Sequence, residues 1–194
     1  MSRNKIYLFS PILVLALIIL SSLVLGSINK NTLNESLDES SGVNPIYAKI
    51  KGSTSGSVTG DVEVNGHVGE ILVLGYSHAI VTNTDPNTGL PTGKNKHYPF
   101  KITIEQGKAS PILLKMLNTG ETVLSAEFNF FKVNPTGTLA NNYRITLESG
   151  RITQYSNFGN SNGNFETFSF TYQKITWYDI EAGIMSQIDL SRDV

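Results

Sequence analysis

The chain has 194 residues, 40% of them hydrophobic and 16% charged, which is enough for one domain with a proper core and short for two. A formal net charge of -1 provides no basic field of the kind a nucleic-acid binder needs, so no nucleic-acid partner is expected. The absence of cysteine removes disulfides, thiol nucleophiles and sulfur-ligated metal sites together, and it suits either redox compartment.

Arg3 and Lys5 precede an uncharged run over residues 7–26, rich in Leu, Ile and Val, of about the length a helix needs to cross a bilayer. Tyr7, Pro11, Leu17 and Gly26 mark its course. Residues 1–26 read either as a signal peptide, with Val24 and Gly26 at the small-residue positions before a cut, or as an uncleaved membrane anchor, an N-terminal hydrophobic helix. In both readings the leading positive charges hold the N-terminus in the cytoplasm and send the rest across. The protein is therefore expected to be exported, either secreted or membrane-anchored, with its C-terminal domain extracytoplasmic. Residues 27–44 are dominated by Asn, Ser, Glu and Asp and read as a flexible polar spacer, which carries the formal glycosylation sequon Asn34-Glu35-Ser36. The folded domain is expected to span residues 45–194.

Within it, short β-rich runs recur between Gly, Asn and Pro clusters, at residues 46–51, 70–81, 99–106, 122–132, 142–149, 151–158 and 165–178. One segment breaks the pattern. Over residues 110–118 Ser110 suits a cap, Pro111 the first helical position, and Ile112, Leu113, Met116 and Leu117 fall on one face, with Thr119-Gly120 as the stop. Leu124, Ala126, Phe128 and Phe130 alternate with Ser125, Glu127 and Asn129, so one side of that strand is expected inside. Phe168, Phe170 and Tyr172 repeat the alternation, but Ile175 and Trp177 fall on the opposite parity, and a bulge or corner near Gln173 and Lys174 would restore one inward face. The fold class is mainly β: a small, mostly antiparallel barrel or closed sandwich with one short helix.

Candidate chemistry is sparse. His67, His78 and His97 lie in different segments, and nothing places two of them on one face beside a carboxylate, so neither a metal nor a general base is expected. Gly52-Ser53-Thr54-Ser55-Gly56 has the glycines of a nucleophile elbow but threonine at its centre and a hairpin setting. Asp85-Pro86-Asn87-Thr88-Gly89 alternates oxygens as a calcium loop does, yet lacks the closing glutamate, and it reads as a turn within the long connection 82–96. Connections of that length are usually functional or mobile. Lys49, Lys51, Lys101 and Lys174 are either charged guards of exposed strand edges or residues lining a surface or lumen. No cofactor and no catalytic residue is expected.

A set of short motifs runs through the domain in a fixed order. They are Tyr47-x-Lys49-Ile50-x-Gly52, Gly93-Lys94, Lys96-His97-x-Pro99-x-x-Ile102, Ser110-Pro111-x-Leu113-x-Lys115-x-Leu117, Glu127-Phe128 and Ser169-Phe170-x-Tyr172-Gln173-Lys174-Ile175-x-Trp177. In order and spacing this set resembles the haemolysin-coregulated proteins (Hcp), the tube subunits of type VI secretion. The resemblance implies a β-barrel with a short helix, a non-enzymatic role, assembly into hexameric rings that stack, and partnership with effector, sheath or spike proteins. It also implies that Asp85, Lys94, Lys96 and His97, on the projecting loop, contact the next ring. The chain departs from many family members at Asn157–Asn164, where a short Asn-Gly tract replaces a longer Pro-containing connection. The exported N-terminus supports an alternative, a membrane-anchored or secreted Hcp-like binding module outside any contractile machine, with the membrane itself a partner through residues 7–26 if they are uncleaved.

Overall fold

The computed structural model describes residues 44–192. The expected hydrophobic helix, with Tyr7, Pro11, Leu17 and Gly26, lies outside the described residues. Among the described residues, no helix is long and apolar enough to cross a membrane.

The chain order is β1 (Ile46–Gly52), β2 (Gly56–Ser57), β3 (Ile71–Ser77), β4 (Ile80–Val81), β5 (Lys96–His97), β6 (Phe100–Glu105), α1 (Ala109–Thr119), β7 (Thr122–Val133), β8 (Leu139–Asn160), β9 (Gly163–Thr171), β10 (Lys174–Asp179) and β11 (Ile184–Asp189), with a 3-10 turn at Leu190–Arg192. The main sheet runs β11-β10-β8-β7-β1-β3-β6-β9, and β9 pairs again with β8, so the strand pairings form a closed circuit through β8, β7, β1, β3, β6 and β9. Strands β10 and β11 extend it outward from β8, while β4 and β5 pair only with each other.

Two expected strands, 142–149 and 151–158, are a single one. β8 runs unbroken across Ser149, whose φ of 53° bends it, and Gly150. A Cβ at Gly150 would stand 1.9 Å from the Thr171 carbonyl oxygen, so only glycine lets β9 approach there. Beyond the bend β8 pairs with β9 through Arg151–Asn160, and before it with β10 through Tyr143–Glu148. The expected run 165–178 accordingly divides at Tyr172 and Gln173, where the Gln173 N–H donates to the Glu148 carbonyl at 3.0 Å. This is the corner that the change of parity required, and it returns Ile175 to the core beside Phe168 and Phe170.

Leu124 departs from the expected face. In the pairing with β1, Val123 lies opposite Gly52 and Ser125 opposite Lys51, so Leu124 is the extra residue of a bulge. Val123, Ala126 and Phe128 are buried, and Leu124 is 44% exposed. The core on the inner face joins Ala48, Ile50, Val73, Ile102, Phe128 and Phe170 to others of their kind. Each fully buried Phe contributes roughly 1.5–3 kcal/mol of apolar transfer, which is why the aromatics sit inside and not on a stacking platform. His67 lies in a turn outside the sheet, stacked on Tyr47 at 4.1 Å between ring centroids.

Helix α1 starts two residues earlier in the chain than its cap was expected to allow. Lys108 is the N-cap and makes no side-chain cap, and Ser110 lies inside the first turn. The orphan donors are met differently: the Ser110 hydroxyl accepts the Gly107 N–H at 2.9 Å and Asp61 accepts that of Lys108 at 2.8 Å. Gly120, at φ 62°, ends the helix with its N–H on the Leu117 carbonyl, while the Glu121 N–H reaches Met116. Leu113 and Met116 are fully buried, which fastens the helix to the circuit.

Candidate functional site

The long connection between β4 and β5 is an ordered hairpin. Ile80 faces His97 and Val81 faces Lys96, Thr84 bridges to Pro91, and the Thr92 N–H donates to the Asn83 carbonyl at 2.8 Å. At the tip, Asp85 Oδ1 accepts the N–H groups of Asn87 at 2.7 Å and Thr88 at 3.0 Å. Those two donors hold the Asp85 carboxyl below the usual carboxylate range. Its Oδ1 is therefore committed to the turn, which the alternation of oxygens in this segment serves. Nearly every residue of the connection is exposed, Leu90 at 64%.

The residues singled out from the sequence fall at different levels of this hairpin. Asp85 is at the tip, Lys94 and Lys96 are on the returning arm, and His97 is at the base. Lys96 stands over the Tyr98 ring, its ammonium 4.9 Å from the centroid. His97 is turned toward the domain, and this brings together residues the sequence reading left apart. Its Nδ1 lies 2.8 Å from the Tyr172 hydroxyl, and His78 Nε2 lies 2.8 Å from the same oxygen. Two of the three histidines thus converge on one phenol at the β9–β10 corner, against the expectation that they were scattered. Phe100 and Trp177 flank His78, with ring centroids 5.6 and 6.2 Å away.

Burial pushes the Tyr172 phenol up to about 12, so it keeps its proton throughout the physiological range. Burial, followed by the charge of His97, pushes His78 below its ordinary value. The signal missed in the sequence was Tyr172, read only as a core aromatic. Its hydroxyl needs a partner once the ring is buried, and the histidines meet that need.

Elsewhere the surface is mixed. A shallow groove of 690 Å³ lies over β1, lined by Lys49, Lys51, Glu70 and Glu127 among others. Lys49 reaches Glu70 at 3.3 Å, and Lys174 pairs with Glu148. The four lysines considered as edge guards lie on β1, β6 and β10, each of which has neighbours on both sides. At the end of the main sheet, β11 pairs only with β10 and exposes Ile184 at 67% and Met185 at 63%. Among the described residues, no group of three or more His, Cys, Asp or Glu side chains could hold a metal ion.

The domain is thus mainly β with one short helix, a separate β4–β5 hairpin and an outer strand β11 paired on one side. Residues 47–178 match the family model described as "Type VI secretion system effector, Hcp", and the chain belongs to the Hcp family. It is 32% identical over 150 residues to the "Major exported protein" of Pseudomonas aeruginosa, a match spanning 69% of this chain and 87% of that one. The fold is similar to a crystal structure of an Hcp protein, with a TM-score of 0.72 at 26% identity over 76% of this chain and 99% of the other. It is also similar to the Hcp1 protein from E. coli EAEC 042, with a TM-score of 0.71 at 30% identity over 76% of this chain and 99% of that one.

Proposed function

We propose that this chain is a non-enzymatic ring and tube subunit. The closed strand circuit acts as a barrel capped by α1, the domain spans residues 45–194, and the barrels associate side by side into hexamers. The hexamers stack, and their lumen holds passenger effector proteins. The observation that carries this reading is the outer edge of β11. A solitary protein blunts such an edge with lysine, proline or a bulge, whereas β11 reads Ile184, Met185, Ser186, Gln187, Ile188 and Asp189 and presents Ile184 and Met185 to solvent, with Ile188 packed against the core. An edge of this kind suits strand addition by a neighbouring copy, and a repeated head-to-tail contact closes into a ring when its rotation allows.

In this reading the hairpin 80–97 contacts the next ring, with Asp85, Lys94 and Lys96 presented to it and His97 setting its base. Membership of the Hcp family supports assembly of this kind, with sheath or spike proteins as further partners. Placing a charge on the edge tests the proposal. The double variant Ile184→Lys and Met185→Lys is expected to keep the circular-dichroism spectrum and melting point of the parent and to lose the hexamer, read as mass by light scattering. A double variant that still forms hexamers removes β11 from the interface.

The uncharged apolar run over residues 7–26 favours a second reading, in which the same domain is exported and either secreted or membrane-anchored as a binding module. The name of the exported Pseudomonas relative agrees with export. Following the cellular fate of a C-terminally tagged chain separates the two, since a tube loaded in the cytoplasm is found there before secretion.

A further inference from the structure

We propose that His78, Tyr172 and His97 form a pH-sensitive clamp, which fastens the base of the hairpin 80–97 to the β9–β10 corner at neutral pH and releases it on acidification. Tyr172 carries one proton, so its hydroxyl can donate to only one of the two ring nitrogens that stand 2.8 Å away. The other ring donates its N–H to the phenolic oxygen. The chain of two hydrogen bonds therefore requires that one imidazole present an unprotonated nitrogen to Tyr172. Protonating that ring sets an N–H against the phenolic O–H, which must turn away and lose its acceptor in a half-buried site. It also places a cation beside a second histidine in a site where Tyr172 is only 8% exposed.

The surroundings offer no compensation. Among the described residues no carboxylate forms an ion pair with either ring: on β10 and β8, Lys174 and Glu148 engage each other, and Asp179 accepts the Ala182 N–H. On β6 Lys101 is exposed, on β5 Lys96 lies over Tyr98, and on β3 Tyr76 stacks against Phe100. The depressed pKa of His78 fixes the direction. Its ordinary value of 6.5 exceeds the folded one, so the folded state binds the proton less readily. The stabilisation is complete above 6.5 and is lost as pH falls below 6.5 and through the lower folded value.

The hairpin is the element that responds, because its own ladder is short. β4 and β5 pair only with each other, through two residue pairs. The contact from His97 to Tyr172 ties the returning arm to the body of the domain, and His78 ties the outgoing arm at the same point. The effect of release on ring stacking rests on the role proposed above for this hairpin. The clamp itself does not, and amide exchange reads it without reference to assembly.

The test is hydrogen exchange of the full-length chain, expressed as protection factors for residues 80–98 at about pH 7.5 and about pH 5, on either side of the histidine range. Protection is expected to fall about fivefold to tenfold on acidification, the worth of one hydrogen bond, while that of β7 stays constant. His78→Gln with His97→Asn keeps polar atoms near the positions of Nε2 and Nδ1 but cannot titrate, and is expected to hold protection at both pH values. Tyr172→Phe is expected to show low protection at both. Trp177, the sole tryptophan, offers a second readout, since its emission is expected to titrate below pH 6.5 through His78 and to lose that step in His78→Gln. Wild-type protection that is equal at the two pH values, or that falls equally in the non-titrating double variant, overturns the clamp. Should that double variant already be open at the higher pH, a fall in wild type that persists in Tyr172→Phe overturns it instead.

Discussion

Glu121 follows the helix-capping Gly120 and ties the turn between β1 and β2 to the start of β7. Its Oε1 accepts the N–H groups of Thr54 and Ser55, both at 2.6 Å, and its Oε2 accepts the Ser55 hydroxyl at 2.7 Å. A Cβ at Gly52 would lie 2.3 Å from Oε1, so a larger residue there would displace this carboxylate. The glycine-rich run once compared with a nucleophile elbow is thus a cradle for a carboxylate from elsewhere in the chain. The Ser55 N–H, with help from its hydroxyl and from Thr54, holds the Glu121 carboxyl below its ordinary 4.5. A depressed folded value means stabilisation that is present above 4.5 and is lost as pH falls through the folded value. Glu121→Gln is therefore expected to lower the melting temperature at neutral pH, and the gap between variant and parent is expected to close as the buffer is taken below pH 4.5. A gap that does not change with pH would assign the effect to packing. None of this was legible from the sequence, because Glu121 and Ser55 are 66 residues apart.

At the scale of elements, the sequence was most informative where apolar periodicity was regular. The helix around Leu113 and Met116 and the strands bearing Phe128, Phe168 and Phe170 could be read directly from it, since burial on one face writes its period into the chain. Three features lay beyond that signal. A bulge at Leu124 shifts the inward parity by one residue, which alternation alone cannot reveal. Gly150 separated two expected strands but lies within a continuous one, because the close approach of Thr171 is a tertiary demand. β11 was missed because an exposed edge strand leaves no buried face to mark it. The bulge is open to a paired test by urea unfolding. Leu124→Ser is expected to change stability by no more than about 0.5 kcal/mol, as a surface substitution does, whereas Phe128→Ala is expected to cost about 3–5 kcal/mol for a vacated core. Comparable losses at the two positions would contradict the bulge.

At the scale of the whole molecule, two features lie at the margin of the main sheet. Strand β11 pairs on one side only, and the hairpin 80–97 stands away from the main sheet with its base held at Tyr172. The motif order from Tyr47 to Trp177 pointed to the family, and the match over residues 47–178 bears it out. The loop residues Asp85, Lys94, Lys96 and His97 were chosen from that resemblance; Lys94 and Lys96 are exposed on the hairpin, Asp85 is half-buried in its turn and His97 faces Tyr172, so the proposed contact with a second ring falls first to the two lysines. The convergence on Tyr172 was hidden, since His78 and His97 lie 94 and 75 residues from it and become neighbours only when the circuit closes. The most direct test of the central claim is the mass in solution of residues 43–194, by light scattering on a size-exclusion column with negative-stain images of the peak. A mass of six chains and six-fold rings is the expected result. A single species with the mass of one chain at high concentration would contradict ring assembly as an intrinsic property of this domain and leave the exported binding module as its role.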